Sequence, residues 1–173
     1  MSTLAIRQQL VEIARRDVGK VEVTRNRAPW IKKYWQATTY PDGELDRQPY
    51  CAAAVCYWVR EWLALPEVLA ALKMTPSQAE RWRCKSAAAF DWLDWAAARK
   101  LEVLSDRPTE RLRVGDLMVF DMSHLAIVKD DDSNGVYTIE ANTGATGSRD
   151  GDGCFEKVRQ RHQARAFIRL INP

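Results

Sequence analysis

Histidine is nearly missing from this chain, with only His124 and His162 in 173 residues. Chemistry that needs an imidazole therefore has two places to go. Long apolar runs are missing too. No stretch approaches the roughly 18 apolar residues that span a bilayer. Met1 to Gln9 has no apolar core, so no Sec-type signal peptide is expected. The four cysteines (51, 56, 84 and 154) show neither a CxxC pair nor Cys/His ligand spacing, which argues against structural zinc. No GxGxxG follows a strand-like run, which removes a dinucleotide fold, and no internal repeat is present. A net charge of +3 is far from the dense basic patches of a nucleic-acid binder, though it suits an anionic polymer such as cell wall.

What is present suffices for one domain with a sizeable core, residues 1–173, and is short for two. The first hundred residues read as helices. Ile6, Leu10, Ile13 and Ala14 recur at helical spacing, with Ser2 or Thr3 as cap and Gly19 as stop. A short helix begins near Pro29 and reaches Trp35. An apolar helix runs from about Cys51 to Leu65-Pro66, and residues 66–83 predict one or two short helices. Ser86 is expected to cap a helix over 87–100 that buries Phe90, Leu93 and Ala97.

From residue 101 the pattern changes from helical to strand-like, with apolar or alternating runs bounded by turn residues. Runs at 101–104, 117–120, 125–128, 136–140, 154–159 and 166–170 predict strands. Residues 130–135 form a hairpin loop ending in Asn134-Gly135, and residues 143–153, with four glycines, a flexible one. Helices followed by consecutive strands give an α+β order, an antiparallel sheet of five to six strands packed on N-terminal helices.

The chemistry gathers around Pro49-Tyr50-Cys51-Ala52-Ala53-Ala54-Val55-Cys56-Tyr57-Trp58. Cys51 falls in the first turn of a helix apolar on every side. There, unpaired N–H groups and the positive end of the helix dipole favour thiolate over thiol. A thiolate nucleophile needs a base, and the base needs an orienting partner. His162 lies in a charged, turn-like stretch and reads as solvated surface. His124 opens a strand and can point into a cleft. Glu140 and Asn142 end the next strand, on one face by alternation, and antiparallel pairing sets them beside the start of the His124 strand.

Taken in order, Pro49-Tyr50-Cys51-Ala52-Ala53, Gly115-Asp116-Leu117-Met118-Val119-Phe120, His124-Leu125-Ala126-Ile127-Val128 and Ile139-Glu140-Ala141-Asn142-Thr143-Gly144 resemble the successive motifs of the CHAP family. Its members are cysteine, histidine-dependent amidohydrolases/peptidases related to NlpC-type and papain-like enzymes. The resemblance spans about Ile6 to Leu170. It implies a papain-like fold, with Cys51 as nucleophile, His124 as general base, Glu140 orienting His124, and Asn142 as a further polar partner. The implied substrate is peptidoglycan, cut within the stem peptide or crosslink, or between the sugar lactyl group and L-alanine.

Two departures stand out. Ala126 replaces a glycine common in the family, and the helical insert around 65–83 is longer than the minimal pattern. Some relatives bind calcium just before the cysteine, which makes Asp42, Glu44 and Asp46 candidate ligands. Otherwise no cofactor is expected. The resemblance further implies a monomer made in the cytoplasm, without a Sec signal. It would act on the wall or periplasm after lysis, like an endolysin, or after type VI-like delivery as an antibacterial effector with a cognate immunity protein. Two other readings stay open. One is a papain-like protease, deamidase or transglutaminase acting on a protein. The other is an inactive wall-binding module whose Trp30, Trp35, Trp92 and Trp95 form a glycan-stacking groove.

Overall fold

The computed structural model describes residues 2–105, 111–144 and 151–171. Among these, six α-helices precede a six-stranded antiparallel sheet, an α+β architecture. Helix α1 (Thr3–Arg15) starts where the Ser2 hydroxyl accepts the Ala5 N–H, and it buries Ile6, Leu10, Val11, Ile13 and Ala14. A single turn, α2 (Lys32–Trp35), sets Tyr34 and Trp35 inward. Helix α3 (Cys51–Leu63) is the hub. Ten of its 13 residues are buried, so it packs on other elements nearly all round, as its run of alanines and aromatics requires.

The segment around 65–83 forms two helices, α4 (Pro66–Leu72) and α5 (Pro76–Trp82). Each begins with proline, whose missing N–H costs nothing in the first turn. A reciprocal Thr75–Gln78 capping box starts α5.

Helix α6 (Asp91–Ala98) corrects the expectation for 87–100. It starts later, Ser86 does not cap it, and the buried face is one residue out of step. Ala89, Trp92 and Ala96 point inward, whereas Ala97 is exposed. Trp92 is buried whole, and its indole N–H finds the Ser86 carbonyl at 3.2 Å. The Ser86 hydroxyl instead accepts the Ala88 N–H and donates to Asp91, closing the turn ahead of the helix.

The sheet runs β1 (Glu102–Ser105), β6 (Ala164–Arg169), β2 (Leu117–Phe120), β3 (His124–Asp132), β4 (Gly135–Thr143), β5 (Gly153–Arg159). The hairpin expected over 130–135 tightens to Ser133-Asn134, because the ladder continues through Asp132↔Gly135. Gly135 is required there: φ is +146°, and a Cβ would lie 2.6 Å from the Arg159 carbonyl oxygen. The outer edge of β5 is covered by the chain after α1, through Gly19 N–H to Cys154 C=O and Cys154 N–H to Lys20 C=O. Of the glycine-rich loop expected over 143–153, residues 145–150 lie outside the described residues.

Alternation along the strands splits the interior in two. Leu117, Val119, Leu125, Ile127, Ile139 and Ala141 join the helices in the main core. Met118, Phe120, Ala126, Val128, Val136 and Phe167 form a second cluster on the opposite face. Among the described residues, the members of that cluster come from the sheet and from Leu112 ahead of β2.

Asp17, fully buried, fastens the helices. Its carboxylate accepts from Tyr34 Oη (2.7 Å), Trp58 Nε1 (2.8 Å), Lys20 Nζ (2.5 Å) and Lys33 Nζ (2.6 Å). Burial disfavours its charge, but these donors outweigh burial and hold its pKa below the ordinary value.

Candidate functional site

Cys51 is the first residue of α3, and its helix start is fixed from the sheet. The Tyr50 N–H donates to Asn142 Oδ1 at 3.0 Å, across 92 residues of sequence. Asn142 can turn to do this because its φ is +56°, a left-handed conformation that asparagine tolerates, and the β4–β5 register shifts there. The expected alternation therefore breaks at Asn142. It pins the backbone before Cys51 and does not bond the imidazole.

His124 sits where β2 turns into β3, paired with Phe120 across a tight turn in which Ser123 has φ +59°. Its ring is buried against Phe120, with centroids 5.2 Å apart. Nε2 lies 3.0 Å from Glu140 Oε2. An ionised carboxylate can only accept, so Nε2 carries the hydrogen. That leaves Nδ1, which is buried and has no hydrogen-bond partner of its own, as the nitrogen available to Cys51.

Glu140 is held from three sides. Besides His124, it accepts from Thr138 Oγ1 (2.6 Å) and twice from Arg159, with Nε at 2.7 Å and Nη2 at 2.5 Å. The pairing Val136↔Arg159 and Thr138↔Lys157 puts Arg159, Thr138 and Glu140 on one face of the sheet, and Arg159 reaches back along it. The guanidinium also lies over Phe120 and bonds Thr143. Sequence reasoning missed Arg159 and Thr138. The signal was a period-two match between adjacent strands, readable only once the β4–β5 register is known.

These contacts decide the charges. Burial opposes ionisation of Glu140, yet the Arg159 and His124 hydrogen bonds bring its pKa down to about 2. Burial also opposes a charged His124, but Cys51 and then Glu140 raise it to about 9. At Cys51 burial favours the thiol. The His124 charge, with N–H donors from Leu125 and Ala52, overcomes it and lowers the pKa below the usual thiol value. Each group thus favours the charged form of the other, thiolate with imidazolium, and the two titrate as a unit. A sulfur whose ionisation is favoured by a proton-bearing ring can act as a nucleophile with an adjacent acid.

A cleft of about 350 Å³ opens onto Cys51. Trp35, Tyr40, Gln48, Ala88 and Ser123 are among its walls. Of the four tryptophans expected to line a groove, Trp35 and Trp92 are interior side chains at 1% and 0% exposure. Trp30 packs on Tyr34 and Tyr50, away from Trp95, which packs on Trp82 and Trp92. Their bulk went into the core, so a four-tryptophan stacking surface does not form.

Asp42, Glu44 and Asp46 do not converge either. Asp46 accepts the Tyr40 hydroxyl, and no group of three or more His, Cys, Asp or Glu side chains among the described residues is arranged to hold a metal ion. All four cysteines are free, so Cys84 and Cys154 form no bridge. His162 is exposed. No helix among the described residues is long and apolar enough to cross a membrane. No protein-family model matches the chain, and no curated protein or solved structure shows significant similarity to it.

Proposed function

We propose that the protein is a cysteine hydrolase of amide bonds whose substrate is peptidoglycan, with a papain-like arrangement of helix and sheet. The observation that carries this is the buried His124–Glu140–Arg159 hydrogen-bond chain, whose imidazole charge acts on Cys51 at the end of a cleft. The Cys51 thiolate attacks the amide carbonyl carbon, and a negative charge develops on the oxygen. The Cys51 backbone N–H at the start of α3 stabilises that oxyanion, joined by the side-chain amide of Gln48 on the cleft wall. As the C–N bond breaks, His124 gives its proton to the leaving amine, and a thioester remains. Water then attacks the thioester, its proton returns to His124, and cleavage of the C–S bond restores the thiolate.

Glu140 keeps the imidazole oriented and favours its charged form, while Arg159 and Thr138 keep Glu140 ionised. Asn142 acts one step further out, by fixing the backbone that presents Cys51. The ordered CHAP-like motifs favour a bacterial wall amide over a protein amide as substrate. The biological setting follows from that: an enzyme released by lysis, or an effector countered by an immunity protein.

Purified sacculi incubated with wild-type protein and with Cys51→Ala test this, by mass analysis of the soluble fragments. Release by wild type alone is expected, with loss of at least ~10³-fold in the variant, and the fragment masses name the bond. Equal release by both proteins, or by neither, would contradict the reading.

A further inference from the structure

The insert after α3 builds a second concavity of about 930 Å³ beside the Cys51 cleft. Thr39, Lys85 and Ser86 line it, while their chain neighbours Tyr40 and Ala87 line the cleft. The Thr39 N–H donates to the Lys85 carbonyl at 3.0 Å, so one ridge of two joined segments separates the two spaces. A substrate longer than one residue pair, seated at Cys51, runs naturally across that ridge.

The charges of this groove are not balanced. Arg83 and Lys85 are both taken by Glu80, each at 2.7 Å. Asp91 on the opposite wall accepts from Ser86. Arg81 and Arg99 have no carboxylate partner among the described residues. Arg81 is steadied by Ser77 Oγ at 2.6 Å, and Arg99 by the carbonyls of Arg81 (2.8 Å) and Trp82 (3.2 Å). Each guanidinium keeps N–H donors that no described protein atom accepts, next to the edge-to-face pair Trp82–Trp95 with centroids 5.0 Å apart. Two tethered, uncompensated guanidinium forks beside an aromatic wall suit a carboxylate on an otherwise apolar chain.

We propose that this groove is a substrate subsite in which Arg81 and Arg99 bind a free carboxylate of a cell-wall stem peptide. Trp82 and Trp95 pack on the adjoining chain while Cys51 attacks the amide. This rests on the amide-hydrolase reading above.

The test compares soluble stem-peptide fragments bearing free carboxylates with the same fragments amidated there, in wild type, Arg81→Gln and Arg99→Gln. Wild type is expected to prefer the free acid by roughly tenfold in kcat/KM, mostly through KM. That preference should collapse toward one in either variant and weaken with added salt. Indifference of wild type to amidation, or full preference in both variants, overturns the subsite. Arg99 also ties the end of α5 to α6, so Arg99→Gln can fail to fold; Arg81→Gln, which loses only Ser77, keeps the test decisive. If wild type cleaves neither fragment, the hydrolase reading fails separately, and tryptophan emission of Cys51→Ala decides the subsite. Quenching by the free-acid fragment that disappears with Arg81→Gln upholds it. No quenching, or quenching only by an acidic peptide of ordinary protein composition, overturns it.

Discussion

Cys51 and Cys56 lie on the same helix, both buried and both free, yet their ionisation is pushed in opposite directions. Burial disfavours the thiolate at each. At Cys56 the nearby Cys84 adds to the effect, the Arg83 charge offsets only part of it, and the thiol donates its hydrogen to the Ser86 carbonyl at 3.3 Å. At Cys51 the His124 charge and the N–H groups at the helix start reverse it. Cys84 and Cys154 follow Cys56, raised by burial. Ionisation of these thiols is therefore set by whether the sulfur sits at the start of the helix and what the sheet brings to it. Cysteine burial alone carries no functional message.

A second pair makes the same point for carboxylates. Asp17 and Glu140 are both enclosed, ionised and saturated with donors. Asp17 is bonded to lysines, a tyrosine and a tryptophan, and ties helices together. Glu140 is bonded to an imidazole, and so its charge is transmitted to a thiol.

Substitutions can break these contrasts. Arg159→Met should have the largest effect, leaving Glu140 buried with only His124 and Thr138, at about 3 kcal/mol of stability by chemical denaturation. Because the Glu140 pKa is lowered from 4.5 to about 2, its stabilisation is full above pH 4.5 and lost as pH falls through 2. The gap between wild type and Arg159→Met should close over that window. A positioning role further requires that the Cys51 alkylation midpoint move up; an unmoved midpoint would make Arg159 merely structural.

Asp17→Asn should cost less, about 2 kcal/mol in the same measurement, since the amide keeps some hydrogen bonds but loses both lysine pairings. Its Cys51 alkylation profile should match wild type, and a shifted profile would mean the two networks are coupled. Cys56→Ala should be smallest, near 1 kcal/mol, with sacculus hydrolysis retained. Loss of hydrolysis in that variant would break the contrast between the two thiols.

Much of this was legible in the sequence. The strands were announced by apolar or alternating runs bounded by turn residues, and the start of α3 by Pro49 ahead of an all-apolar run. The approach of Glu140 to His124 followed from one hairpin. What escaped were effects of three-dimensional competition. Trp92 took the inward face of α6 in line with Ala89 and Ala96, its indole N–H satisfied by the Ser86 carbonyl. Asn142 left the strand alternation because a left-handed residue was needed to reach Tyr50. Arg159 joined Glu140 through strand register, which no local pattern encodes.

The most direct test is the pH dependence of Cys51 alkylation by iodoacetamide, followed on the Cys51 peptide by mass spectrometry in wild type and His124→Ala. The wild-type midpoint should lie well below the ~8.5 of a free thiol. His124→Ala should raise it, because burial then acts unopposed by the imidazolium. In wild type the alkylation should persist above pH 9, where hydrolysis falls as His124 gives up the proton needed by the leaving amine. A wild-type midpoint at or above the free-thiol value, or one that His124→Ala leaves in place, would contradict the ion pair on which the proposed chemistry depends.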